Sequence, residues 1–111
     1  MAYAQSKGAA GEREFSMWLL TQGLTQTITP RNLEQSRSGG IDLIPRDHPF
    51  AYEIKRVESI TSGTFDKWWI KAQSDVAKIN RANPNVEPRD PVVAYRTSRS
   101  DWFCIVSVEK L

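Results

Sequence analysis

The sequence predicts an α/β fold in which a small mixed central sheet is flanked by helices. Three observations carry this. An apolar stripe of helical period runs along the N-terminal region, and a second follows residue 66. Short β-branched or alternating runs lie between and after them, bounded by turn residues. The element order is α-β-β-β-α-β-β, within one domain covering 1–111.

The first helix is "SKGAAGEREFSMWLLTQGL", expected from Ser6 to Gln22, with Ser6 as its cap and Gly23 as its stop. "TQTITP" alternates polar and apolar residues and reads as a strand. "RNLEQSRSGG" is a polar connection ending in glycines. "IDLIP" and "FAYEIKRV" read as a hairpin around "RDH". "KWWIKAQSDVAKINRAN" is the second helix, stopped near Asn83 by Pro84. After a proline-punctuated loop, "VVAYRT" and "WFCIVSV" are the last strands, with "SRSD" between them.

The chain is 40% hydrophobic and 25% charged, an ordinary globular balance, so it can bury a core. A net charge of +2 makes the placement of basic residues matter more than their sum. The single cysteine, Cys104 in "WFCIV", cannot form an internal disulfide and reads as a buried core thiol. No run has the length of a signal peptide or membrane span, so an intracellular, cytoplasmic protein with no membrane partner is expected.

Charged groups inside the hairpin are the unusual feature. Asp42 lies between Ile41 and Leu43; Glu53 and Lys55 lie in the next strand. Side chains alternate along a strand, so Ala51, Glu53, Lys55 and Val57 share one face while Phe50, Tyr52, Ile54 and Arg56 share the other. Glu53 and Lys55 are then about 7 Å apart on one face, and hairpin pairing can bring Asp42 to it. A buried salt bridge would explain the grouping but contributes little stability. Converging acids with a lysine fit a divalent metal better: Mg²⁺ takes one or two carboxylates plus a substrate phosphate and lowers the pKa of a bound water. On the first helix, Glu12 falls on the side of Phe15, Ser16 and Leu19, either at the site or as an edge residue paired with Arg13 or Lys7. Glu14 falls opposite and reads as a solvated charge.

On the second helix, Trp69, Ala72, Val76 and Ile79 form a core stripe, with Trp68 displaced from it. Lys67, Lys71 and Lys78 lie on the outer face, solvated or in contact with phosphate. Lys7, Arg13, Arg31, Arg37 and Arg56 flank the site and are the stronger DNA candidates; Ser38 lies in a loop whose glycines allow close approach to a backbone. His48, alone in a turn, is read as exposed and inert.

Asp42 followed by Glu53-Ile54-Lys55 resembles the PD-(D/E)xK nuclease signature, with Ile41 where the motif often has Pro. "KGAAGERE" resembles the opening helix of archaeal-type Holliday junction resolvases, and "GGIDL" and "EIK" follow in the same order, over nearly the whole chain. The small size suggests a phage or mobile-element version. The resemblance implies a restriction-endonuclease-like core and a Mg²⁺-dependent enzyme, Mn²⁺ substituting, that places paired nicks in four-way DNA junctions. It implies that Asp42, Glu53 and the Ile54 carbonyl hold metal with help from Glu12, and that Lys55 is the catalytic lysine. It implies basic roles near the scissile phosphate for Lys7 and Arg13, a serine role for Ser36 or Ser38, and a site role for Gln73. A half-buried Gln73 bonding backbone is the alternative. Symmetric cutting implies a homodimer, for which Trp68, Phe50 and Tyr52 are apolar candidates unless a helix covers the last two. Other readings are a nuclease of the same fold acting on flaps or duplex, and a non-catalytic DNA-binding module.

Overall fold

Alternation along one strand sets the layering. In β1 (Phe50–Val57), Tyr52 and Ile54 pack with Phe15 and Leu19 of α1 (Ala2–Thr21). Ala51, on the other face, packs with Ala72 and Val76 of α2 (Thr64–Ala82). The sheet therefore lies between two helices, with a separate apolar cluster on each side. The computed structural model describes residues 2–32, 40–98 and 100–111, and for 2–8 the backbone alone.

β2 (Asp90–Thr97) pairs in parallel with β1, from Phe50↔Asp90 to Val57↔Thr97, and antiparallel with the short β3 (Phe103–Ile105). Parallel neighbours need a long crossover, and α2 supplies it. Val92, Val93 and Ala94 are buried, as befits a central strand covered on both faces. A 3₁₀ turn, Val108–Lys110, closes the chain. No helix among the described residues is long and apolar enough to cross a membrane.

Both helices form where their apolar period places them, α1 starting earlier than expected so that Ser6 lies inside it. Gly23, at φ 75°, ends α1: its N–H reaches the Leu20 carbonyl at 3.0 Å and the Leu24 N–H reaches that of Leu19 at 2.9 Å. This paired closure needs a left-handed residue, which glycine adopts without steric cost. Gly11 has a packing role instead. A Cβ there would meet the Arg56 Cβ at 3.3 Å and Ile54 Cγ2 at 3.8 Å, so its absence lets α1 lie against β1. Gly11→Val is expected to cost about 1–3 kcal/mol of stability, read by urea unfolding.

The order α-β-β-β-α-β-β needs correction at two elements. Residues 25–30 form no strand. Thr25 and Thr29 are buried and Ile28 is half exposed, the reverse of the expected facing. A strand there would also need a ladder, and the open edge of β1 is already taken. The hairpin reduces to one bridge, Leu43↔Tyr52. Pro45 and Pro49 lack N–H donors, so pairing cannot continue toward the turn. Arg89 instead ties the turn down, its guanidinium donating to the Pro45 carbonyl at 2.6 Å and the His48 carbonyl at 3.1 Å.

Side-chain environments also differ from expectation. Cys104 is exposed, as is its neighbour Phe103, because the short β3 is an edge strand paired on one side only. His48 is half-buried between the Phe50 and Tyr52 rings. Tyr52 is buried under α1, with Phe50 packed beside it, so neither offers a free interface. Trp68 is half-buried against the α2-side core and packs on Phe65 and Tyr95.

Candidate active site

Residues 41–43 run along the edge of β1 that β2 leaves open. The Leu43 N–H and Tyr52 carbonyl meet at 3.1 Å, and the Tyr52 N–H and Leu43 carbonyl at 2.9 Å. Asn32 holds the other side, its N–H on the Asp42 carbonyl at 2.9 Å and its amide on the Ile41 carbonyl at 2.8 Å. The Asp42 carboxylate is thereby fixed beside β1, where Oδ2 accepts the Ile54 N–H at 2.8 Å. The N–H and C=O of one strand residue emerge on the same side, so the Ile54 carbonyl also faces this edge.

An edge is the one place where groups from both faces of a sheet can meet. Glu53 reaches it from the α2 face and hydrogen-bonds to Asp42; Glu12 approaches from α1 closely enough to act on the Asp42 charge. Asp42 and Glu53 are 8% and 4% exposed, so water screens neither well. Desolvation, then the hydrogen bond to Glu53 and its charge, push the Asp42 carboxyl up to about 8, against the opposing pull of the Ile54 N–H.

α2 contributes a cation and a further acid. Lys71 Nζ lies 3.3 Å from Glu53 Oε2 and 2.6 Å from Asp75 Oδ2, one helical turn on. Burial pulls the Lys71 ammonium down, but its hydrogen bonds to Asp75 and Glu53 and their charges outweigh this and leave it raised. Lys55 shares a sheet face with Glu53 yet makes no ion pair among the described residues; its Nζ stands 5.9 Å from the centroid of the Trp68 ring. Lys71 and Asp75 are the site residues that sequence reasoning missed. A signal existed: Asp75 falls within the Ala72–Val76–Ile79 stripe, where an apolar residue was due.

Glu12 is buried, and its Oε1 accepts from Arg31 Nε at 2.7 Å, which raises the Arg31 guanidinium further. Among the described residues, no three Asp, Glu, His or Cys side chains converge into a group that could hold a metal. Glu12, expected as a ligand, is held by Arg31 and lies near enough to Asp42 to act on its charge. The Asp42 and Glu53 carboxylates, with the Ile54 carbonyl at the same strand edge, are hard oxygen groups of the kind Mg²⁺ favours.

Arg13 and Arg31 line a cleft of about 370 Å³ next to Glu12, with Met17, Ile28 and Pro30 on its walls. Arg56 lies on the α1 face, and with Arg96 it surrounds Glu14. Glu14 is thus half-buried and paired rather than solvated, because α1 packs over two strand arginines. Gln73 is exposed and lines a different cleft, of about 330 Å³, with Trp69, Asp90 and Lys110. It is not brought to the acidic pair, since residue 73 points away from the side on which Lys71 and Asp75 meet Glu53. Arg37, Ser36, Ser38 and the Lys7 side chain lie outside the described residues.

No protein-family model, curated protein or solved structure matches this chain.

Proposed function

We propose that the chain is a Mg²⁺-dependent endodeoxyribonuclease of the PD-(D/E)xK type, acting on branched DNA with the four-way junction as its substrate. The carrying observation is the buried, hydrogen-bonded Asp42–Glu53 pair, with the Ile54 N–H on Asp42. As a stabilising device such a pair is poor, because Glu53 raises the cost of ionising Asp42. As a cation site it is well made.

Asp42 and Glu53 would hold the ion together with the Ile54 carbonyl. The bound ion would supply an activated water and charge stabilisation for the phosphodiester. The Ile54 N–H keeps Asp42 in one rotamer, so the ligand geometry is set before substrate arrives. Asp42 would give up its proton when the site fills, which would make loading favour higher pH. Arg13 and Arg31, which line a cleft with Glu12, would meet DNA phosphates. The junction substrate rests on the sequence resemblance, and the paired nicks it requires call for a twofold dimer.

The test is cleavage of labelled four-way junction, flap and linear duplex with Mg²⁺ and with EDTA, alongside sizing of the protein on junction DNA. Paired symmetric nicks in the junction alone, by a dimer, are expected. Cutting of flap or duplex in preference would reassign the substrate. Undiminished cutting in EDTA, or by Glu53→Gln, would overturn the reading.

A further inference from the structure

The E-x-K spacing singles out Lys55, yet the ammonium in contact with the acidic pair is that of Lys71. Both lysines approach the same face of β1. Trp68 stands one helical turn before Lys71, and its ring lies beneath the Lys55 ammonium at 5.9 Å from the centroid. α2 thus presents a ring that engages Lys55 and an ammonium that touches Glu53 in its place.

Asp75 is the second observation. It is 5% exposed, inside a helix, at a position where the core stripe calls for an apolar side chain. A buried carboxylate is costly unless a partner compensates it, and this partner is Lys71 at 2.6 Å. The pair adds little stability over apolar packing. What it does is hold one flexible side chain, itself 49% exposed, against Glu53.

We propose that Lys71, aimed by Asp75, is the working ammonium of this site, and that Lys55 serves the packing of α2 on the sheet. In the metal-free protein Lys71 occupies the Glu53 oxygen that a cation would take. Released from Glu53, it remains tethered to Asp75 beside any phosphate bound at the pair, where its charge would stabilise the developing negative charge. The inference rests on the proposed nuclease reading for its catalytic arm and on charge alone for its binding arm.

Mn²⁺ binding to the DNA-free full chain, followed by electron paramagnetic resonance, reads the binding arm. Lys71→Met removes a competing positive charge, so Mn²⁺ is expected to bind roughly fivefold tighter, whereas Lys55→Met shifts affinity by less than about twofold. Equal affinities for wild type and Lys71→Met, including no binding by either, would overturn the assignment. Junction cleavage at saturating Mg²⁺ reads the other arm: Lys71→Met is expected to fall at least about tenfold in kcat, and further than Lys55→Met. Asp75→Asn should slow the wild type but add nothing to Lys71→Met, a non-additivity that a merely structural role would not produce. A dead Lys55→Met beside an active Lys71→Met would sink the inference while leaving the nuclease reading intact. Wild-type activity in both Asp42→Asn and Glu53→Gln would instead sink the nuclease reading, and the Mn²⁺ result would still decide which lysine faces the pair.

Discussion

Asp42→Asn is expected to make the protein more stable above neutral pH in EDTA and, on the proposed nuclease reading, to lower Mg²⁺-dependent cleavage at least about a hundredfold. The reason is one proton. The Asp42 carboxyl moves from 3.8 to about 8 on folding, chiefly by desolvation and by Glu53. Between those values the folded chain holds a proton that the unfolded chain has lost. The contribution of this group is therefore fully present below about pH 4, falls as pH rises toward 8, and levels off above. Asparagine is neutral at every pH, can accept the Ile54 N–H and can donate to Glu53. It should remove the slope and gain on the order of a few kcal/mol at pH 9. Thermal melts in EDTA from pH 6 to 9 check the sign. Mg²⁺ should raise the wild-type Tm at high pH and leave Asp42→Asn unmoved, since a ligand bound only by the folded state stabilises by mass action. On the proposed nuclease reading, the activity loss would follow from removing one of two carboxylates that would hold the ion. A flat wild-type pH profile would refute the raised Asp42 carboxyl.

The largest stability effect is expected at Phe15→Ala, about 3–5 kcal/mol. Phe15 is 1% exposed and is the ring on which the α1 side of the core converges: Trp102 at 4.9 Å, Tyr52 at 5.1 Å and Trp18 at 5.7 Å between centroids. Truncation leaves a cavity bounded by rings that cannot all close on it. A domain of this size has about 5–15 kcal/mol in total, so much of it goes. Phe15 lies one helical turn after Glu12, so loosening it also frees Glu12 from the edge of β1. Phe15→Leu should recover most of the loss. Urea unfolding of the three proteins gives the comparison, and a loss below about 1 kcal/mol for alanine would contradict the packing described.

The parts of this fold legible in the sequence are those dictated by local periodicity. Phe15 and Leu19 mark one helix, Ala72 and Val76 the other, and alternation through β1 separates Tyr52 and Ile54 from Ala51 and Glu53. Those signals depend only on spacing, and spacing survives into the folded chain. Residues 25–30 were misread for a related reason: alternation describes which side chains could face a core, but a strand also needs a free neighbouring edge. The hairpin failed at its prolines, whose missing donors are visible in the sequence but whose effect depends on what else satisfies the turn. Here Arg89, more than forty residues away in the chain, does so.

The candidate site divides the same way. Asp42, Glu53 and Lys55 stand out in the sequence because each is a charge inside an apolar run, and that anomaly needs no coordinates to be seen. Which lysine faces the acids is a matter of helix placement. Lys55 and Lys71 are equally cationic, and only the docking of α2, with the Trp68 ring under one ammonium and Asp75 beside the other, distinguishes them. Sequence alone thus establishes that acids and a cation are gathered within a packed α/β core. The tertiary fold chooses the partners, because contact at the edge of β1 depends on how two helices and residues 41–43 pack around it, and no local period encodes that.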